Sequence, residues 1–141
     1  LAQAVVPVQD VEQGIVDIEV SSAGTMAPVG LKPTNYALMT TIERGIDISQ
    51  HTSRILTEQM VNESDLVFVM EYGHMKFIQG LAPRAKKRVY LLKDFGKNGQ
   101  KGEVADPIGF DLEYYRICYT DLENEIRRIL PDIFKKAGKL K

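Results

Sequence analysis

The run Asp65-Leu66-Val67-Phe68-Val69-Met70 decides the fold. It is the most hydrophobic stretch in the chain and it does not alternate with polar residues. A short apolar run of this kind reads as a strand covered on both faces. Such strands sit in parallel sheets, where the connections lay helices over each face. Downstream, Tyr72 to Leu81 places Met75 and Ile78 on one face of a helix, with Phe77 beside them. Arg88-Val89-Tyr90-Leu91-Leu92 then reads as another strand. Strand, helix, strand is therefore the central unit, and its hand and direction follow from the crossover rule.

The flanks extend the same plan. After a long glycine- and lysine-rich loop from Lys93 to Ile108, Asp111 caps a last helix. Its core stripe is Tyr115, Tyr119, Leu122, Ile126, Ile129 and Ile133, and Pro131 is expected to kink it. Upstream, Thr34 caps a helix to about Arg44, with Tyr36, Leu38, Met39 and Ile42 as its apolar positions and Gly45 as its stop. Ile46 to His51 is an irregular link, and Thr57 caps a further short helix. Ile15-Val16-Asp17-Ile18-Glu19-Val20 alternates apolar and acidic residues, as a strand near a sheet edge does. Leu1 to about Gln13 carries apolar residues at helical spacing, interrupted by Pro7. The expectation is an α/β fold, a doubly wound parallel sheet with helices on both faces, in one domain spanning 1–141. Ligands of such folds bind beyond the C-terminal ends of the strands.

Composition narrows the function. Of 141 residues, 44% are hydrophobic, enough for one core. Lys+Arg is 18 against 19 Asp+Glu, which points away from nucleic acid. No apolar run is long enough to span a bilayer. Cys118 is the sole cysteine, so no internal disulfide forms and a cytoplasmic setting is expected. His51 and His74 make no metal pattern, and no cofactor is expected.

Three groups carry candidate chemistry. In Asp106-Pro107-Ile108-Gly109 the proline stiffens the backbone that holds a carboxylate, and the glycine permits a sharp turn. The same four residues also read as an ordinary turn. Val20-Ser21-Ser22-Ala23-Gly24-Thr25 is a row of small residues in which a serine hydroxyl can shape an anion-binding loop, or simply a tight strand exit. It has neither the Walker nor the Gly-x-Gly-x-x-Gly spacing, which counts against a general nucleotide binder. Ser49-Gln50-His51-Thr52-Ser53-Arg54 sets an imidazole and a guanidinium three residues apart, either to orient groups near an anion or to make local surface bonds. Cys118 lies on or beside the apolar stripe of the last helix and reads as structural.

Together these pieces resemble the low-molecular-weight protein tyrosine phosphatases of bacterial type. The resemblance rests on Val20 to Gly24; Gly45-Ile46-Asp47 with Ser49, His51, Ser53-Arg54 and Leu56-Thr57; Asp65 to Val67 with Val69-Met70; Val89 to Leu92 with Asp94-Phe95; and Asp106-Pro107-Ile108-Gly109 with Tyr115. It implies a flavodoxin-like fold and a two-step phosphate transfer through a phosphocysteine. The resemblance makes Asp106 the general acid and casts Ser22 and His51 as braces of the phosphate-binding loop. It implies a phosphorylated protein, or a small aryl phosphate, as partner, and leaves the oligomeric state open.

The family's Cys-(x)5-Arg signature and the strand before it have no counterpart in the chain. Leu1 to Val5 resembles the helix that follows that signature. A gap of one strand is then expected between the strands at Ile15 and Leu66, and the expectation is that a preceding segment fills it. The chain by itself is expected to be inactive, with a non-catalytic binding module of the same fold as the alternative. No cysteine lies between Leu66 and Leu92, which disfavours arsenate reduction by thiol relay. Ile108 and Gly109 stand where relatives that hydrolyse phosphotyrosine carry aromatics, so phosphoarginine is a second candidate substrate.

Overall fold

The computed structural model describes residues 18–25 and 28–139. Two strands, β1 (Val67–Val69) and β2 (Val89–Leu91), form a parallel pair. Their register sets Val67 against Val89, Phe68 against Tyr90 and Val69 against Leu91. The Leu92 amide lengthens the ladder by donating to the Val69 carbonyl at 2.9 Å. The connection is α3 (Tyr72–Leu81) followed by a 3-10 segment, Pro83–Arg88. Pro83 starts that segment where a missing N–H costs nothing.

Strand alternation sorts the core into two layers. Val67, Val69, Val89 and Leu91 face α3 and α2 (Glu58–Glu63), packing with Val61, Ile78 and Ala82. Phe68, Tyr90, Met70 and Leu92 face the opposite way, onto Ile126 and Ile129 of α4 (Leu112–Lys139). Phe95 joins that layer edge-on to both Phe68 and Tyr90, with ring centres 4.9 Å apart in each case. Helices thus cover both faces of the parallel pair, as the unalternating run at Asp65 to Met70 requires. Among the described residues, no helix is long and apolar enough to cross a membrane.

Local chemistry sets the helix ends. Thr34 caps α1 (Asn35–Ile42) by accepting from the Ala37 amide, Thr57 caps α2 through Met60, and Asp111 accepts from Tyr114 at 2.9 Å. Gly45 takes the left-handed conformation just past α1, which lets the Ile46 amide reach the Thr41 carbonyl at 2.9 Å. Pro131 sits inside α4 without ending it. Arg127, whose carbonyl loses its intrahelical partner there, lies on the exposed side of the helix.

Two expectations change. The strand beginning at Ile15 falls mainly outside the described residues, and its last three residues, 18–20, carry no ladder. Glu19 and Val20 are exposed there, with no described strand beside them to reward extension. The helix at Thr34 forms as read but turns its stripe outward: Tyr36, Met39 and Ile42 are 43%, 45% and 58% exposed, while Thr40 is buried. Thr40 can face inward because its hydroxyl donates to the Tyr36 carbonyl at 2.7 Å, so it brings no unpaired group into the interior.

Candidate active site

The long loop from Lys93 crosses the C-terminal end of β1 before it reaches Asp106. The Val104 amide donates to the Met70 carbonyl at 2.9 Å, and the Val104 side chain is buried in the α4 layer. Two residues on, Asp106 is half-buried, and its Oδ1 accepts from the Ile108 amide at 3.0 Å. That local ring fixes the carboxylate against Pro107, and Gly109 then turns with φ of 83°. The chain therefore delivers Asp106 to the strand-end rim where doubly wound folds bind ligands. Burial raises the Asp106 pKa, while hydrogen bonding, including that from the Ile108 amide, lowers it. The balance lies below the ordinary carboxylate value.

The segments that carry Ser22 and His51 are joined at a second place. Gly24 bridges to Ile55 in parallel fashion, with its amide on the Arg54 carbonyl and its carbonyl receiving the Leu56 amide, both at 2.9 Å. The Arg54 Nε donates to the Ser22 carbonyl at 2.8 Å. This bond spans 32 residues, and it stitches the small-residue row to the His51 segment. Ser53 is buried and completes the seam through the Leu31 amide and the Pro28 carbonyl. The His51 amide closes a turn on the Ile48 carbonyl, and its Nε2 is buried with no hydrogen-bond partner among the described residues. A buried imidazole nitrogen in that state calls for a partner.

Cys118 is 6% exposed on α4. Burial, then the charges of Asp121 and Asp106, push its thiol pKa upward. A thiol so placed is a poor nucleophile. A cleft of about 710 Å³ opens behind the Asp106 turn, between α4 and the loop, lined by Lys93, Glu103, Ala105 and Cys118 among others. Ser22, His51 and Asp106 do not line it.

Sequence reasoning missed two residues that shape this rim. Glu103 Oε2 accepts the Tyr72 amide at 2.7 Å, and Arg128 donates to carbonyls at the start of the same loop. Their partners lie 31 to 36 residues away and are backbone atoms, so no local pattern announces them.

Comparison with known proteins gives a consistent picture. The model of the family described as "Low molecular weight phosphotyrosine protein phosphatase" matches residues 1–139. The protein-arginine-phosphatase of Geobacillus stearothermophilus is 35% identical over 112 residues, covering 79% of this chain and 74% of that protein. Wzb of Escherichia coli K12, a low-molecular-weight protein-tyrosine-phosphatase, is 28% identical over 112 residues, with the same coverage of 79% and 74%. Among solved structures, the YwlE arginine phosphatase, in a mutant with a phosphorylated active-site serine, superposes with a TM-score of 0.83 at 29% identity. That match covers 94% of this chain and 86% of the other.

Proposed function

This chain belongs to the low-molecular-weight phosphotyrosine protein phosphatase family, a family of phosphatases with a flavodoxin-like fold, and we propose that Asp106 is the general acid of a cysteine-dependent protein phosphatase. The observation that carries the reading is the double tie of its loop. Val104 is bonded to the end of β1, and Asp106 is locked by the Ile108 amide on a proline-stiffened turn.

The proposed reaction has two steps. A cysteine thiolate attacks phosphorus; the S–P bond forms as the bond from phosphorus to the leaving oxygen or nitrogen breaks. Asp106 gives its proton to the departing atom. Water then attacks phosphorus, the S–P bond breaks, and the Asp106 carboxylate takes the proton from water. Phosphate and thiolate are released. A carboxyl group is ionised in the empty site at neutral pH. A phosphate dianion brought beside it favours the protonated form, because like charges resist sharing a site. Proton uptake on substrate binding is therefore part of this reading.

The chain's own thiol is not the attacking group in this account, since Cys118 is buried and its pKa is raised. The 141 residues alone carry no Cys-(x)5-Arg signature for a phosphate-binding loop and are proposed to be inactive. Ser22 and His51 are proposed to brace that phosphate-binding loop, and the unpartnered His51 Nε2 supports this role. Substrates are phosphorylated side chains of cytoplasmic proteins. Phosphoarginine stands beside phosphotyrosine because an arginine phosphatase is 35% identical to this chain.

The test is hydrolysis of aryl phosphates, phosphotyrosine peptide and phosphoarginine by the intact protein and by the 141-residue chain. Asp106→Asn should lower kcat/KM about a hundredfold for a poor leaving group and much less for a good one. Equal loss on both substrates would remove the general-acid assignment. An intact protein with no turnover on any of them favours the binding module.

A further inference from the structure

We infer that Glu103 is the positioning residue for Asp106, acting by clamping the loop onto the N-terminus of α3; the inference rests on the general-acid reading above. α3 opens without a side-chain cap of its own, since Glu71 at the capping position makes no such bond. The amide of Tyr72, the first helical residue, is one of the orphan donors every helix leaves at its start. Glu103 satisfies it from the other side of the sheet end, at 2.7 Å. A carboxylate there also meets the positive end of the helix dipole. The next residue, Val104, donates to the Met70 carbonyl and buries its side chain to 1% exposure. Two consecutive residues thus hold the loop to two consecutive elements, through Met70 just past the end of β1 and Tyr72 at the start of α3. Asp106 follows three residues after Glu103.

The geometry of the clamp separates its two parts. Val104 is fixed by burial and would hold the loop near the sheet whatever its neighbour did. Glu103 is exposed and contributes no burial. Its contribution is direction: with the carboxylate on the Tyr72 amide, the backbone leaves Val104 toward the rim at a set angle, Ala105 carries that angle to Asp106, and Pro107 holds Asp106 extended from the far side. Without it, the segment from Ala105 to Gly109 keeps its internal turn but loses the reference to α3.

The experiment uses the intact protein with Glu103→Ala, Glu103→Gln and Asp106→Asn. Two readouts are taken: kcat/KM on aryl phosphates of high and low leaving-group pKa, and amide hydrogen exchange at Tyr72 and 104–109. Glu103→Ala should lower kcat/KM about three- to tenfold on the poor leaving group and less than about twofold on the good one. Exchange at Tyr72 and across 104–109 should rise in the same variant. Glu103→Gln keeps an acceptor oxygen and should restore most of both. Wild-type leaving-group dependence or wild-type exchange in Glu103→Ala overturns the inference, as does an equal loss in Glu103→Gln. If Asp106→Asn is selective for the poor leaving group and Glu103→Ala is not, only the positioning role fails. If Asp106→Asn shows no selectivity, or the intact protein has no turnover, the general-acid reading fails and Glu103 falls with it.

Discussion

Cys118 shows how environment sets the character of a thiol. It sits among the packed residues of α4, and burial together with Asp121 and Asp106 favours its neutral form. The neutral form neither attacks phosphorus nor reacts readily with electrophiles. Iodoacetamide at about pH 8 should therefore label the folded chain far more slowly than the urea-unfolded chain. Cys118→Ala should cost about 1 kcal/mol in urea unfolding, the value of one small buried group, and leave turnover by the intact protein unchanged. Rapid labelling of the folded chain would contradict this placement. The structural role of Cys118 was legible in the sequence because the helical stripe on either side of it was legible. The buried nitrogen of His51 was not, since nothing in Ser49 to Arg54 tells which ring atom turns inward.

At the scale of elements, α4 holds the second layer of the core and also the long loop that starts at Lys93. Arg128 is 16% exposed and paired with Glu125 at 2.7 Å. Its guanidinium donates to the carbonyls of Leu92, Lys93, Phe95 and Lys97. Five donors in a fixed fork suit this task, which a lysine cannot match. Arg128→Ala leaves four carbonyls and a carboxylate short of partners, and should destabilise the chain by about 3 kcal/mol in urea unfolding. A loss well under 1 kcal/mol would mean that water substitutes freely. Caps are the elements' most readable feature: Thr34, Thr57 and Asp111 act within three residues of themselves. The outward stripe of α1 was hidden for the opposite reason. Tyr36, Met39 and Ile42 have the spacing of a core face, but which face turns inward depends on packing remote in sequence. Tyr36 still meets Tyr115 edge-on at 5.7 Å, and Thr34 Oγ1 donates to the Tyr115 hydroxyl.

At the scale of the whole molecule, charge pairs join the α1 region to α4. Arg116 binds Glu43 at 2.7 Å, and Arg44 binds Glu123 at 3.0 Å while lying over the Tyr119 ring. The hydrogen bond from Arg116 holds Glu43 below its ordinary value of 4.5, with the Arg116 and Arg44 charges adding to it. A carboxyl group whose folded pKa is lowered stabilises the fold above its unfolded value and loses that contribution as pH falls through the folded one. Tm should thus fall more steeply between about pH 5 and about pH 3 in the wild type than in Glu43→Gln. Added salt should narrow the difference, because both partners face solvent. Parallel slopes in the two proteins would show that the pair contributes nothing. The plan of the fold was readable because one apolar run demanded cover on both faces. The rim was only half readable: Asp-Pro announced itself, while the groups that aim it are backbone atoms brought together by the crossover. The same loop, tied at its root by Arg128 and at its tip by Glu103 and Val104, leaves Gln100 and Lys101 exposed between the two knots. Chain length at that crest is nearly free to vary, since doubling a flexible span costs only about 0.6 kcal/mol. A reporter peptide spliced in there would ride on the surface without tugging at either strand end.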